Sequence, residues 1–391
     1  GETEPEYSAG DTVKITKATQ FYAVRRKSNY YTVSYYLGNG STNAAYQKLT
    51  QTVEEGTVVT FAKVPARTGY VNQGWSSKKN SEKATAKAKC TVNKNITLYA
   101  VQKKAVQLTF HRCDGSTWQK TTLAKGSSYS LPGVRDAEGY TFMGWSTKPM
   151  QSVSPQYEAE EKITVNGNVD LYAVVFNRTT ETDLTEDQLP QVDIYKYKQV
   201  IFVGDSRTEF MENVLTGMGE SATKNVKFVC SAGKGLDWFT TTGWAQLYSI
   251  VQHDSNSILS KKTAVIFNFG VNDLSKSADY AEYYNWIAPQ LKSKGCELYF
   301  MSVNPVNRLM LPNAGRADRS EAAVRSFNQY MKANLSSAYT YIDMYSYLKS
   351  TGYSFASDHY GTGTVDDGLH YTTRTYKRIF AKCMDSLRVP A

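Results

Sequence analysis

Ser206, Asp367 and His370 are the residues of this 391-residue chain whose types and setting suit covalent chemistry. Ser206 stands in Gly204-Asp205-Ser206-Arg207, directly after the apolar run QVIFVG (199–204). A serine hydroxyl is a weak nucleophile and must be activated by a neighbouring base. Asp367-Gly368-Leu369-His370 puts a carboxylate and an imidazole three residues apart, so that the carboxylate can support the ring locally. Asp366 adjoins Asp367, but the three-residue spacing selects Asp367. Of the other histidines (His111, His253 and His359), His359 in SDHYGTG reads as a loop residue rather than a second base. Two further strings could supply N–H donors: Ser231-Ala232-Gly233-Lys234-Gly235-Leu236-Asp237-Trp238 and Gly270-Val271-Asn272-Asp273.

The elements that must position these residues are legible around them. QVIFVG (199–204), VKFVC (226–230), TAVIFNFG (263–270), CELYFMSV (296–303) and YTYID (339–343) are short apolar runs. Such runs suit parallel strands buried on both faces. Helical-length segments separate them, among them 277–295 and 319–335, and the alternation predicts an α/β/α domain with a five-stranded parallel sheet over 199–391. Ligands bind at the carboxyl ends of the strands in such sheets. Each of the strings above follows a strand, save Asp367–His370, which comes after the last of them.

The four strings in this order, GDS, a Gly block, GxND and DxxH, resemble the blocks of the SGNH (GDSL-like) hydrolases, and the resemblance spans essentially the whole of 199–391. It implies Ser206 as nucleophile, His370 as its base and Asp367 as the carboxylate behind the imidazole. It also implies an oxyanion hole from the Ser206 N–H, the Gly235 N–H and the Asn272 amide, where one donor is worth about 3 kcal/mol. Gly233 competes with Gly235 for that role, and the Gly-x-Asp-Trp ending favours Gly235. Arg207 departs from the Leu common at that position and reads as a helix-start residue or a charge near the entrance. Asp273 orients Asn272 or caps a helix. Trp238, with Phe239 and Trp244, walls an acyl pocket or packs in the core; Asn304 and Arg308 are candidate substrate contacts. The mechanism implied needs no metal and no organic cofactor.

The N-terminal half reads as repeats. GYVNQGWSS (69–77) returns as GYTFMGWST (139–147), and LYAV at 98–101 returns at 171–174. A third ending of this kind, DTVKITKATQFYAV, occupies 11–24 without a GWS half before it. The expected division is a partial β repeat at 1–29, repeats at 30–104 and 105–178, a polar linker at 179–198 and the α/β domain beyond. Trp75 and Trp145 are expected to anchor small cores. These motifs resemble the Listeria–Bacteroides type repeat, related to the internalin B-repeat. That resemblance implies β-grasp-like modules, a bacterial cell-surface or secreted setting and a spacer or adhesive role, with a surface glycan as a possible partner of the repeats.

The formal charge of +9 is spread over the chain without a dense basic run, so it indicates a solvated basic surface and no nucleic-acid partner. No apolar run is long enough to span a membrane. Five cysteines without a CxxC or other metal-ligand spacing speak against a zinc site and against a disulfide scaffold. The function expected is extracellular hydrolysis of small acyl esters, O-acetyl groups of a carbohydrate above all. The alternatives are a lipase or thioesterase, or a surface adhesin with a silent hydrolase domain.

Overall fold

The computed structural model describes residues 4–25, 27–193, 196–253, 262–311, 319–356 and 367–387. His359 and Asp366 lie outside the described residues. Two compact units are formed, 1–107 with 122–127 and 165–167, and 108–121 with 128–164 and 168–391.

In the first unit, strands β1 (Tyr30–Tyr36) and β2 (Gln51–Glu54) are antiparallel, with helix α1 (Ala44–Gln47) between them. β3 (Thr57–Thr60) pairs antiparallel with β5 (Lys89–Val92), and β4 (Tyr70–Ser76) with β6 (Ile96–His111). β6 also runs parallel to β1 through Ile96–Tyr99. The core forms around Val33, Tyr35, Tyr46, Trp75 and Leu98. The indole N–H of Trp75 donates to the Ala62 carbonyl at 2.6 Å, so the one polar atom of this anchor is satisfied.

The GYxxxGW motif serves the same geometry twice. β7 (Thr117–Ala124), β8 (Ser127–Ser130), β9 (Tyr140–Ser146), β10 (Lys162–Val165) and β11 (Val169–Asn177) complete the second repeat. β9 and β11 are antiparallel, and β11 is parallel to β6 through Leu108–His111. Register slips between Asn72 and Gly74 in the first copy and between Val174 and Val175 in the second. Gly144 has φ +143°, and a Cβ there would stand 2.5 Å from the Tyr157 carbonyl oxygen, so only glycine fits before the tryptophan. Trp145 is fully buried and donates to the Pro132 carbonyl at 2.8 Å. Residues 11–24, by contrast, form no strand and are largely exposed. In both repeats the LYAV strand lies between a parallel and an antiparallel partner, and the 11–24 segment has neither among the described residues.

The remainder of the second unit is a parallel sheet of five strands, β12 (Tyr197–Gly204), β13 (Val226–Cys230), β14 (Lys262–Asn268), β15 (Cys296–Met301) and β16 (Tyr339–Ile342), ordered β13-β12-β14-β15-β16. Each of the five apolar runs is thus a strand. Period-2 alternation splits their side chains between two cores. Ile201, Val203, Val265, Phe267 and Phe300 face one side, with helices α6 (Ser277–Lys292) and α7 (Glu321–Asn334) packed over them. Val200, Phe202, Ala264, Ile266 and Met301 face the other. There they meet α2 (Ser206–Met218), α8 (Met344–Thr351) and α9 (Thr373–Ser386). Shorter helices α3 (Glu220–Thr223) and α4 (Leu236–Trp238) lie in the connections, with α5 (Trp244–His253) following a π-helical turn.

The second repeat shares a core with this sheet. Met143, Val174 and Phe176 belong to the cluster that contains Phe202 and Ile379. The stretch expected as a linker, 179–198, buries Glu181, Leu189 and Val192. Glu181 accepts hydrogen bonds from Ser354 at 2.5 Å and Arg378 at 3.0 Å, a satisfied buried carboxylate that a composition-based reading takes for solvated.

Candidate active site

Gly204 ends β12, and Asp205 caps α2 by accepting from the Arg207 N–H at 3.0 Å. A Cβ at 204 would lie 2.0 Å from Thr208 Oγ1 and 2.9 Å from the Asn268 carbonyl oxygen, so the strand-to-helix turn closes only with glycine there. The turn puts Ser206 at the first position of the helix. Ser206 Oγ is 2.9 Å from His370 Nε2, and His370 Nδ1 is 2.5 Å from Asp367 Oδ2. A carboxylate only accepts, so Nδ1 carries the proton and Nε2 offers its lone pair to the serine hydroxyl. The other Asp367 oxygen accepts from the Leu369 and His370 N–H groups, each at 2.7 Å. All three side chains are buried.

Arg207 is no entrance charge. Its guanidinium is buried and donates to three carbonyls: Leu369 at 3.1 Å, Asn304 at 3.0 Å and Pro305 at 3.0 Å. It therefore ties the residue after Ser206 to the residue before His370. Five donors in a fixed fork suit this role, and a leucine could not perform it.

Asn272 and Gly235 follow the two strands that flank β12 in the sheet. Asn272 Nδ2 donates to the Lys234 carbonyl at 2.7 Å, and its Oδ1 accepts from Arg319. These opposed partners fix the orientation of the amide and leave one of its two N–H groups for another acceptor. Asp273 neither orients Asn272 nor caps its own following turn. Its carboxylate accepts from the Leu236 N–H at 2.9 Å and the Tyr280 hydroxyl at 2.7 Å. Burial pushes the Asp273 carboxyl up, against these two bonds. The Gly block bends around this anchor: a Cβ at 235 would stand 2.3 Å from Asp273 Oδ2. Gly233 has open space around it and φ +70°, so its requirement is conformational. The Ala232 N–H reaches Glu209 on α2 at 2.7 Å, which ties this loop to the Ser206 helix.

The three candidate substrate contacts are placed differently. Trp238 is half-buried and packs against Phe269 and the core. Asn304 is buried, and neither polar atom of its side chain has a partner among the described residues. Arg308 pairs with Glu160 of the second repeat at 3.1 Å, so its charge is already engaged. Neither Arg319 nor Asn307 carried a local signal in the sequence, since the partners of each are far away in the chain.

Asp205 makes the site pH-sensitive. Burial pushes its carboxyl up to about 6, against the pull of the Arg207 guanidinium. An acid with a raised folded pKa costs stability as pH rises from its unfolded value near 3.8 through 6, and the cost then stays constant. Two pKa units correspond to about 3 kcal/mol. Relative to the native chain, Asp205→Asn is therefore expected to gain about that much stability between pH 4 and pH 7. Urea unfolding at both pH values checks this, and a constant difference between the two proteins would refute it.

Residues 31–101 and 107–174 match the model of the Listeria-Bacteroides repeat domain, and residues 200–383 that of the GDSL-like lipase/acylhydrolases. A protein of Evansella cellulosilytica described as a Gly-rich membrane protein is 27% identical over 169 residues, which is 43% of this chain. The chain spans only 18% of that relative's length. Among solved structures, a lipolytic protein of the G-D-S-L family from Veillonella parvula is 18% identical with a TM-score of 0.29. It covers 48% of this chain and 97% of its own. An acetylxylan esterase from Geobacillus stearothermophilus, solved as a catalytic mutant, is 11% identical with a TM-score of 0.32, covering 50% and 96% respectively. No described helix is long and apolar enough to cross a membrane. Residues 200–383 belong to the GDSL-like lipase/acylhydrolase family, and they follow two Listeria–Bacteroides repeats.

Proposed function

We propose that this chain is an extracellular serine ester hydrolase that removes small acyl groups, O-acetyl above all, from a carbohydrate. The observation that carries the reading is the hydrogen-bonded series Ser206 Oγ–His370 Nε2 and His370 Nδ1–Asp367. In this mechanism His370 takes the Ser206 proton as Oγ attacks the ester carbonyl carbon. The carbonyl oxygen becomes an oxyanion held by the N–H groups of Ser206 and Gly235 and by the Asn272 amide. The imidazolium, balanced by Asp367, gives its proton to the departing alkoxide. Water then attacks the acyl-enzyme by the same route, and the acid and free Ser206 are released. The preceding repeats support an acylated surface or plant glycan as the substrate, since their family model is that of a bacterial repeat.

The test has two parts. A fluorophosphonate should add to Ser206 and to no other residue, read by peptide mass. The chain should hydrolyse p-nitrophenyl acetate faster than the butyrate, octanoate and laurate esters, and release acetate from acetylated xylan. Absence of labelling and hydrolysis would leave a silent domain on an adhesin. Equal or better turnover of laurate would replace the acetyl reading with a lipase or thioesterase.

A further inference from the structure

Asn307 touches the second repeat with its side chain and the His370 loop with its backbone. Its Nδ2 donates to the Val134 carbonyl at 3.0 Å and to Asp136 Oδ1 at 2.9 Å. Its N–H donates to the Gly368 carbonyl at 2.8 Å, in the middle of Asp367–His370. The fit there is tight: Gly368 has φ +68°, and a Cβ on it would lie 2.4 Å from the Asn307 carbonyl oxygen and 2.7 Å from Met310 Cβ.

The anchor in the repeat is rigid. The side chain of Asp136 is fully buried, and its other oxygen accepts from Arg178 at 2.8 Å. Oδ1 also accepts from the Phe142 N–H at 3.0 Å, in the strand that carries Trp145. Arg135 adds a donor to the Leu309 carbonyl, and Glu160 holds Arg308. The 307–309 turn is thus held on the repeat side by Arg135, Asp136 and Glu160.

On the opposite side the same loop is tied by Arg207 to Leu369 and to the carbonyls of Asn304 and Pro305. Tyr371 donates to the Pro305 carbonyl at 2.5 Å. The Asp367–His370 loop is therefore held by Arg207, by the Asn307 N–H, and at both ends by the Ala356 backbone, which accepts from the Asp367 N–H at 3.0 Å and donates to the His370 carbonyl at 2.8 Å. Of these, the Asn307 contact is the one anchored on the repeat.

We propose that the second repeat positions the Asp367–His370 pair through Asn307, so that the repeat is a working part of the hydrolase and not a spacer. This rests on the reading of Ser206, His370 and Asp367 given above. Asn307 is a positioning residue: it acts on the imidazole through the Gly368 carbonyl. Loosening that loop misaligns Asp367 with His370 Nδ1. The imidazolium is then less stabilised and its pKa falls.

The test uses the full chain. Asn307→Ala removes both bonds to the repeat and also the cap that Oδ1 makes with the Leu309 N–H at 3.2 Å, whereas the near-isosteric Asn307→Asp keeps that cap and turns the donor into a carboxylate oxygen facing Asp136 and the Val134 carbonyl. With active sites counted by saturating fluorophosphonate, each variant is expected to lose about 10- to 100-fold in kcat/KM for p-nitrophenyl acetate, because small misplacements of catalytic groups cost on that order. The loss should fall on kcat, with KM within about twofold. The acid limb of the pH–kcat/KM profile should move to lower pH. Asp170→Asn, which breaks the His111–Asp170 pair elsewhere on the second repeat and touches neither the 307–309 turn nor the Asp367–His370 loop, should retain the native profile. Native kcat/KM and an unmoved limb in either Asn307 variant, whatever its Tm, would overturn the proposal. If the native chain itself neither hydrolyses the ester nor labels at Ser206, the reading of the site has failed instead.

Discussion

Ser206→Ala is expected to lower kcat for p-nitrophenyl acetate by about 10⁴-fold or more while leaving the Tm within about 2 °C, since loss of a nucleophile removes the covalent route altogether. The Tm should hold because Asp205, not Ser206, caps α2, and because Gly204 and Thr208 make the close contacts of the turn. His370→Ala should give a loss of similar size, and Ser206→Ala/His370→Ala little more than either alone, because the two residues act as one unit. Additive losses would mean that the 2.9 Å contact between them is incidental to turnover. Rates from a carefully purified Ser206→Ala preparation decide the matter, and native-like hydrolysis would refute the assignment of the nucleophile.

Lys349→Ala is expected to destabilise the chain by about 3–5 kcal/mol, the scale for breaking a buried ion pair from one side. Lys349 on α8 is buried, 2.8 Å from Glu158 of the second repeat and 3.2 Å from Glu321 on α7. It also donates to the Met143 carbonyl at 2.5 Å. Burial opposes its charge, but the two carboxylates hold its pKa above the ordinary lysine value. Burial pushes Glu158 up despite the nearby ammonium. Removing the ammonium leaves Glu158 and Glu321 repelling each other, with Arg325 the remaining cation near them. Pairing Lys349→Met with Glu158→Gln should recover much of the loss by removing the uncompensated carboxylate. Urea denaturation at pH 7 reads both. A Lys349→Ala penalty below about 1 kcal/mol would mean that water already reaches this cluster.

The sequence exposed much of this arrangement and hid a specific part of it. Five apolar runs became five parallel strands because strands buried on both faces must be apolar along their whole length. Ser206 was legible because its string follows a strand at the carboxyl end of a doubly wound sheet, and Asp367 and His370 because their three-residue spacing sets a carboxylate beside an imidazole. The GYxxxGW motif was legible because its glycine and tryptophan meet a steric demand that repeats with the fold. The pairing of Arg308 with Glu160, the seating of Asn307 on Asp136 and the burial of Glu181 were not legible. Each joins residues more than a hundred positions apart, and each uses charged or amide side chains that composition assigns to solvent. Residues 179–198 looked like a linker for that reason. Arg207 was half legible for a related reason: it does start a helix, but its burial against three backbone carbonyls, rather than at an entrance, depends on residues far along the chain.

Ser206 and His370 are 164 residues apart along the chain, and Asp136 and Asn307 are 171 apart. Closing such long loops is slow, and contacts of this range form late in folding. The chemistry can therefore begin only after the whole of the second unit has assembled. On dilution from denaturant, circular dichroism should return before esterase activity. On a ribosome, which supplies the N-terminal residues first, Asp136 is made long before Asn307 and the Asp367–His370 loop that Asn307 contacts.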